Sequence, residues 1–254
     1  MPFNSLQIRE AFHLCFLQEF LRKADPKLIV LKGGVNLRFF FKSRRYSEDM
    51  DLDVKTVSVA TLQKNVLQTL ARLAFPLRVY GVTEIISPSM AAAKQTETSQ
   101  RFKIHLITQD GLELFTKIEF SRRGFKGETQ FERADESLLR DYRLSPVIVQ
   151  HYAASSAFDQ KISALAGRPL EEARDVYDLH HLLAFLPQDY VPSSPANLFA
   201  KAAERLEGIS YERYRESVVA YLVTEDQALL GREDVWEEMK KILLGAFKKW
   251  EGLR

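Results

Sequence analysis

The sequence predicts an α/β (α+β) fold, with an N-terminal α/β domain at residues 1–145 and a helical domain at residues 146–254. Three observations predict this class. A short apolar strand leads into Gly33-Gly34 and a helix, β-rich runs occupy the middle of the chain, and helical periodicity dominates after about Ser145. With 254 residues, 46% of them hydrophobic, the chain can form one large domain or two small ones with a real core.

Apolar spacing defines the first elements. Phe12, Phe16 and Phe20 recur every four residues and predict a helix over about 5–23, and Asn4 with Gln7 can form its capping box. The next predicted elements are a strand at 28–31, a helix through about residue 41, an acidic strand at 49–54 and a helix at about 57–73.

The remaining elements follow from turn signals and periodicity. The predicted β-rich runs are 77–86, 101–108 and 112–120, and Gln109-Asp110-Gly111 is a hairpin signal between the last two. In the helical part, Ser156 is the predicted cap of a helix that ends near Gly167. We expect a second helix over about 170–185, a loop at 187–195 and three further helices before residue 254.

Composition excludes several classes of protein. The net charge of +2, from 36 basic and 34 acidic residues, neither requires nor excludes a nucleic acid partner. No apolar run approaches the ~18 residues of a membrane span, and no secretory signal is recognisable. Cys15 is the single cysteine, so an intrachain disulfide is excluded. We therefore expect a cytoplasmic protein that does not enter a membrane.

The acidic strand is the most informative stretch. Side chains alternate faces along a strand, so Asp49 and Asp51 point to one side while Met50 and Leu52 point into the core. Two residues span about 6.6 Å, which lets both carboxylates approach one divalent ion, whereas Asp53 lies roughly 13 Å from Asp49. Oxygen ligands select Mg²⁺ or Mn²⁺. The alternative is a solvated strand face.

Lys32-Gly33-Gly34 follows an apolar strand and opens a helix. Glycine lets a ligand approach the backbone, and a helix N-terminus presents free N–H groups to an anion. The arrangement suits a nucleoside triphosphate, although ordinary turns also use Gly-Gly. It is not a P-loop, because the G-x-x-x-x-G-K-[ST] pattern is absent.

The order strand, Gly-Gly, helix and acidic strand resembles the polymerase-β nucleotidyltransferase superfamily. More specifically, residues 31–38 (LKGGVNLR) and 45–53 (RYSEDMDLD) resemble the AbiEii/AbiGii toxin family, which includes the MenT toxins. The resemblance implies a polymerase-β-like domain with a mixed sheet, a metal–nucleotide complex and an antitoxin partner. The family usually has a hydroxyl residue after the glycines; Val35 stands there, so backbone or other donors must replace that phosphate contact.

Three further residues of the N-terminal domain are candidates. Ser47 matches a serine of the family's R-x-S-x-D-x-D motif, where a hydroxyl lies near the phosphates, or it is a strand-entry turn residue. Arg45 contacts phosphate, or it forms a surface ion pair with Glu48. Glu119, on a later strand with Lys117, is the candidate third metal-binding carboxylate and base, with a cross-strand salt bridge as the alternative.

The helical part resembles the family's second signature, a helix lysine followed by R-D-x-x-D-L. Lys161 borders an apolar helix stripe, and we place its amine on the triphosphate. Asp175 and Asp178 lie one helical turn apart and are candidate nucleotide-binding residues, Asp175 being the better of the two. The alternative is an ion-pair network within the helix that includes Arg174.

Two basic clusters are either solvated faces or contacts for an RNA backbone: Arg122-Arg123 with Lys126, and Lys240-Lys241 with Lys248-Lys249. The predicted reaction moves a nucleoside monophosphate from a nucleoside triphosphate to an acceptor hydroxyl. By resemblance, the acceptor is the 3′ end of tRNA, and the protein is the toxin of a type IV-like toxin–antitoxin or abortive-infection system. The alternatives are a protein-modifying kinase or nucleotidyltransferase, self-modifying at Ser47, and a nucleotide-binding module that needs a partner.

Overall fold

The computed structural model describes residues 3–86 and 96–253. The chain divides into two compact units. Unit 1 comprises Met1–Phe40 and Tyr46–Tyr152, and unit 2 comprises Phe41–Arg45 and Ala153–Arg254. A short segment from the first fifth of the chain therefore belongs to the unit that the last hundred residues build.

Unit 1 consists of a mixed sheet with helices. Its elements are α1 (Ser5–Phe20), β1 (Ile29–Lys32), α2 (Gly33–Phe40), β2 (Asp49–Val54), α3 (Val59–Leu73), β3 (Val82–Ile86), β4 (Ser99–Thr108), β5 (Glu113–Ser121), β6 (Thr129–Arg133), α4 (Glu136–Asp141) and β7 (Ile148–Tyr152). Within the described ranges the sheet has seven strands in the order β3-β4-β5-β2-β1-β7-β6. The β2–β5 and β1–β7 pairs are parallel, and the other pairs are antiparallel. The predicted α/β class with a mixed sheet is confirmed.

Helix α1 begins and packs as its sequence predicts. The Asn4 side chain accepts hydrogen bonds from the backbone of Leu6 and Gln7, and the Gln7 side chain accepts one from Asn4, which completes the predicted capping box. Phe12, Phe16 and Phe20 are completely buried. The four-residue spacing therefore marks the face of α1 that enters the core of unit 1.

Strand alternation separates two faces of the sheet. The apolar side chains at alternate positions of β2 and β5, such as Met50, Leu52, Ile118 and Phe120, are fully buried and share a core with α1 and α3. Because successive side chains of a strand point to opposite faces, the intervening charged residues of β2 and β5 lie together on the other face. That second face carries the candidate site.

Unit 2 is helical. Its elements are α5 (Ala154–Gly167), α6 (Ala173–Leu183), α7 (Ala196–Glu207), α8 (Tyr211–Ser217), α9 (Thr224–Leu230) and α10 (Glu233–Glu251). Aromatic rings fill its core: Phe158 and Trp250 lie edge to face at 5.4 Å between centroids, and Tyr214 stacks on Trp236 at 4.5 Å. No helix in the described part of the chain combines the length and the apolar character needed to span a bilayer.

Two of the secondary-structure predictions for unit 1 were wrong. The first half of the run at 77–86 is a 3-10 turn, Pro76–Tyr80, because Pro76 has no N–H to donate to a sheet and suits the start of a turn. The chain after residue 145 was predicted to be helical, but Ile148–Tyr152 forms β7, which pairs with β1 and β6. Strand β6 and helix α4 were not predicted.

The helical part also differs in detail. Helix α5 begins at Ala154 after Ala153, so Ser156 lies inside the helix and does not cap it. The predicted helix over 170–185 begins later, at Ala173. Through residue 253, four α-helices follow the loop at 187–195 instead of three, because a 3-10 turn at Val219–Tyr221 separates α8 from α9.

Candidate active site

Three predicted metal-binding carboxylates, those of Asp49, Asp51 and Glu119, lie together on the polar face of the sheet. Asp49 and Asp51 occupy alternate positions of β2. In the parallel pairing of β2 with β5, Asp51 lies opposite Glu119, and Asp49 lies opposite Lys117. The sheet order thus places the third carboxylate beside the other two, across one strand-to-strand spacing of about 4.8 Å.

Asp49 and Glu119, the two carboxylates that flank Asp51, each form an ion pair with a basic side chain. Lys117 Nζ lies 2.7 Å from Asp49 Oδ2. Arg101 on β4 donates to Glu119 Oε2 at 2.7 Å, and the Ser99 hydroxyl donates to Glu119 Oε1 at 3.3 Å. The cross-strand salt bridge considered for Glu119 therefore exists, and its partner is Arg101.

The environment of Asp51 changes the pKa of its carboxyl group. Burial raises the pKa of Asp51, and the negative charges of Glu119 and Asp49 raise it further, against the lowering effect of Lys32 and Lys117. Its environment therefore disfavours an ionised carboxylate as long as no further cation is present. A divalent cation beside Asp51 would relieve this repulsion.

The donor set suits a hard divalent ion. Carboxylate oxygens on one face of adjacent strands are the ligands that Mg²⁺ and Mn²⁺ prefer. Within residues 3–86 and 96–253, no group of three or more His, Cys, Asp or Glu side chains already has the geometry of a metal site. Lys117 and Arg101 already form ion pairs with Asp49 and Glu119. A metal bound by these two carboxylates would have to displace both cations.

Gly33 allows the backbone to approach Asp51 closely. Its φ is +69°, and a Cβ built on it would lie 2.8 Å from Asp51 Oδ2. A side chain at this position would therefore be strained and would also displace the carboxylate. Helix α2 begins at this glycine and continues through Gly34, so the predicted glycine turn and the carboxylates are neighbours.

Lys32 contacts Asp53, which in turn contacts Tyr152, and the sequence did not place either of these two residues in the site. Its Nζ donates to Asp53 Oδ1 at 2.6 Å, and the Tyr152 hydroxyl donates to Asp53 Oδ2 at 2.6 Å. Asp53 is buried, whereas the Lys32 side chain stays 27% exposed. The third aspartate of β2, expected to lie outside the metal site, is the counter-ion of Lys32. The pairing of Lys32 with Asp51 across β1 and β2 brings it there.

Ser47 and Arg45 lie in different units although they are neighbours in sequence. The Ser47 hydroxyl donates to the backbone carbonyl of Asp49 at 2.9 Å, which matches the strand-entry role considered for it. The alternative considered for Arg45, a surface ion pair with Glu48, is not the observed contact: the Arg45 guanidinium lies on the carboxylate of Asp178, with both Oδ atoms 3.0 Å from Nη2. Both side chains of this ion pair are buried.

The second predicted signature forms a buried charge cluster in unit 2. Lys161 Nζ lies 2.9 Å from Asp175 Oδ1 and 2.7 Å from Asp178 Oδ2, and Arg168 Nε lies 2.9 Å from Asp175 Oδ2. Arg174 does not join the cluster; its nearest acidic partner is Glu172, at 3.7 Å. The sequence-based ion-pair alternative thus named the two aspartates correctly but the wrong arginine.

The cluster favours the charged forms of Asp178 and Lys161. Burial alone would raise the pKa of Asp178, but Arg45 and Lys161 outweigh it and lower the pKa. Burial alone would lower the pKa of Lys161, but Asp175 and Asp178 raise it. Both aspartates are fully buried, and their carboxylates face the cations of Lys161, Arg45 and Arg168. Arg168 contributes a third cation for two carboxylates.

Comparison with known proteins identifies the class. Solved structures with this fold include MenT4, a nucleotidyltransferase toxin from Mycobacterium tuberculosis H37Rv, with a TM-score of 0.56 and 16% identity over 97% of this chain and 87% of that one. JHP933 from Helicobacter pylori matches with a TM-score of 0.54 and 17% identity, over 96% of this chain and 94% of that one. A nucleotidyltransferase described as putative from H. pylori gives 0.54 and 18%, over 98% and 97%. No curated protein sequence matches significantly.

These structures share a nucleotidyltransferase fold with this chain. A sequence family described as "Nucleotidyl transferase AbiEii toxin, Type IV TA system" matches residues 15–250. The chain therefore belongs to the AbiEii nucleotidyltransferase toxin family, which confirms the resemblance seen in the two motif stretches. The protein is a nucleotidyltransferase, so the expectation of a mere nucleotide-binding module is set aside.

Proposed function

We propose that this enzyme uses Mg²⁺ or Mn²⁺ to transfer a nucleoside monophosphate from a nucleoside triphosphate to a hydroxyl at the 3′ end of a transfer RNA. Asp49, Asp51 and Glu119 are the proposed metal ligands. The observation that carries the proposal is their common face on parallel strands, with Asp51 directly opposite Glu119. The raised pKa of Asp51 supports it, because burial and then the neighbouring carboxylates of Glu119 and Asp49 disfavour its negative charge, which a bound cation would stabilise.

The proposed reaction is an in-line displacement. The acceptor hydroxyl oxygen bonds to the α-phosphorus, the bond from that phosphorus to the oxygen bridging to the β-phosphate breaks, and pyrophosphate leaves. Glu119 accepts the proton of the acceptor hydroxyl. A bound ion would neutralise phosphate charge and help to align the in-line attack.

Cationic side chains bind the triphosphate in this proposal. Lys32 is oriented by the buried Asp53 and stays partly exposed, so its amine is available to a phosphate. Lys161 and Arg45 are proposed nucleotide ligands that Asp175 and Asp178 orient. Backbone N–H groups at the start of α2, beyond Gly33 and Gly34, supply further donors.

The biological role we propose is that of a toxin neutralised by a cognate antitoxin protein. Induction of the wild-type chain in bacteria should arrest growth, and the same amount of Asp51→Ala protein should not. Co-expression of the neighbouring gene should restore growth. Equal arrest by both chains would show that the toxicity does not come from nucleotidyl transfer.

The chemical test uses α-³²P-labelled nucleoside triphosphates, each in turn, with total bacterial RNA and Mg²⁺. Label should appear on tRNA with the wild-type protein and with the exposed-surface control Asp141→Asn, but not with Asp51→Asn. Label on protein instead of RNA would favour the alternative acceptor Ser47. In that case Ser47→Ala should abolish the label, and γ-labelled triphosphate would distinguish kinase chemistry from nucleotidyl transfer.

A further inference from the structure

A basic loop follows β5 at the edge of the sheet where β2 also ends. Residues 122–127 contain three basic residues, Arg122, Arg123 and Lys126, and no acidic one. Because β2 and β5 run parallel, their C-terminal ends meet at one edge, and Lys55 directly follows β2 there. We call residues 122–127 together with Lys55 the basic loop.

The basic loop has a defined shape. Gly124 and Gly127 adopt left-handed φ values of 72° and 101°, which turn the chain on either side of Phe125 and Lys126. The ammonium group of Lys55 lies 4.3 Å from the centroid of the Phe125 ring. This contact ties the end of β2 to the loop after β5.

Arg122 anchors the loop to strand β4 and the residues before it. Its Nη1 donates to Gln100 Oε1 at 2.9 Å, its Nε donates to the carbonyl of Glu97 at 3.3 Å, and its backbone N–H donates to the carbonyl of Thr98 at 3.0 Å. Arg123 and Lys126, the other two basic residues of the segment 122–127, are exposed.

The exposed cations differ from those of the candidate active site. Lys32, Lys117 and Arg101 each pair with a carboxylate. Within the described ranges, by contrast, Lys55, Arg123 and Lys126 form no ion pair. An edge with three such cations and no internal counter-charge is suited to an external polyanion.

We propose that the basic loop binds the phosphodiester backbone of the RNA acceptor; this inference rests on the proposed RNA substrate. Lys55 lies four residues beyond Asp51, a distance of about 13 Å along the strand direction. That corresponds to about four stacked nucleotides at ~3.4 Å of rise each. The loop thus contacts phosphates a few nucleotides away from the reacting 3′ hydroxyl, and it contributes affinity without reading sequence.

The test compares Arg123→Gln/Lys126→Gln with the matched control Arg140→Gln/Lys64→Gln, which removes the same charge from exposed positions of α4 and α3. The probe is an unmodified tRNA transcript, bound to each protein on filters between about 50 and 200 mM salt. The loop variant should bind about 10-fold more weakly. Its plot of log K against log salt should lose about 1.4 in slope, for two single-strand phosphate contacts of ~0.7 each.

The control variant should keep both the affinity and the slope of the wild type, and all three proteins should bind nucleoside triphosphate equally. Equal melting temperatures will show that the loop variant is folded. An unchanged slope in the loop variant, an equal loss in the control, or a wild type that does not bind the transcript would overturn the inference. Failure of the proposed function reads out separately: the wild type would then label protein, not RNA, whatever the slopes.

Discussion

Asp51 of β2 and Glu119 of β5 lie directly opposite each other on neighbouring parallel strands. Like charges in that position repel one another, and burial of Asp51 increases the cost of its ionisation. The arrangement is unfavourable in the absence of a further cation. Such a pair therefore indicates ligand binding better than either residue does alone.

We expect Asp51→Asn to separate metal binding from folding. In metal-free buffer the variant should melt at or above the wild-type temperature, because a repelling carboxylate is removed. Saturating Mn²⁺ at about 100 times its Kd should stabilise the wild type by about 2.7 kcal/mol and the variant far less. The measurement is a thermal melt with and without Mn²⁺. A variant with the full metal-induced shift would show that Asp51 is not a ligand.

We expect Gly33→Ala to impair turnover more than stability. The positive φ should cost about 1–2 kcal/mol, and the added methyl group should push the Asp51 carboxylate from its position. The matched control is Gly245→Ala in α10. Apart from the neighbouring residues and the nearby backbone of α10 itself, no described atom lies within 4 Å of a Cβ built there, so alanine should raise the free energy of unfolding by about 0.5–1 kcal/mol. Denaturant melts and label transfer check both variants. Wild-type turnover in Gly33→Ala would contradict the close approach.

We expect Asp53→Asn to act through Lys32. Loss of the charge weakens the 2.6 Å contact that orients the lysine amine, so triphosphate affinity should fall by about 10-fold, whereas metal affinity should not change. Tyr152→Phe removes only the second hydrogen bond to Asp53 and should give a smaller change in the same direction. Isothermal titration with triphosphate and with Mn²⁺ measures the two affinities. A larger effect on Mn²⁺ would make Asp53 a metal ligand.

We expect Lys161→Ala to reduce triphosphate binding or turnover by ~100-fold or more, and Arg174→Ala to have little effect. Because two buried aspartates lose a counter-ion, the lysine variant should also lose about 3–5 kcal/mol of stability. Activity is therefore measured at a temperature where circular dichroism shows both variants folded. Similar, mild losses in both would reduce Lys161 to a structural ion-pair member.

We expect acid sensitivity from His13. Burial, with a smaller effect of Arg9, lowers the pKa of His13 to about 3. Between that value and 6.5 the unfolded chain binds more protons than the folded one, so stability falls as the pH falls, by about 2 kcal/mol at pH 5. His13→Gln can keep a hydrogen bond to Thr116 without this pH dependence. Denaturant melts at pH 8 and pH 5 should show the wild type losing about 2 kcal/mol more than the variant.

The residues explain which parts of this fold could be predicted from sequence. Strand β2 was predicted with its observed bounds, because alternation of acidic and apolar residues is a local property of the strand. Strand β7 could not be predicted, because its five residues form a strand through pairing with β1, which lies far away in the sequence, and with β6, which was itself not predicted.

The same distinction holds for the candidate site. Asp49, Asp51 and the glycine turn carry local signals. The partners of Asp53 and Glu119 depend on sheet order and register: Lys32 comes from β1 and Arg101 from β4. The sequence singled out Lys32 through the glycine turn but not its pairing with Asp53, and no local pattern singled out Arg101. The roles assigned to the site residues stay predictions until the variants above are measured.

The contact between Arg45 and Asp178 joins residues 133 positions apart. At about 5–20 residues per second of synthesis, Arg45 is made about 7–27 s before its partner. Until α5 begins at Ala154, the segment 41–45 has none of the helices of the unit to which it belongs. A ribosome that has not yet passed α6 therefore carries a nascent chain without the buried charge cluster. Any activity that depends on the buried charge cluster can therefore appear only late in the synthesis of the chain.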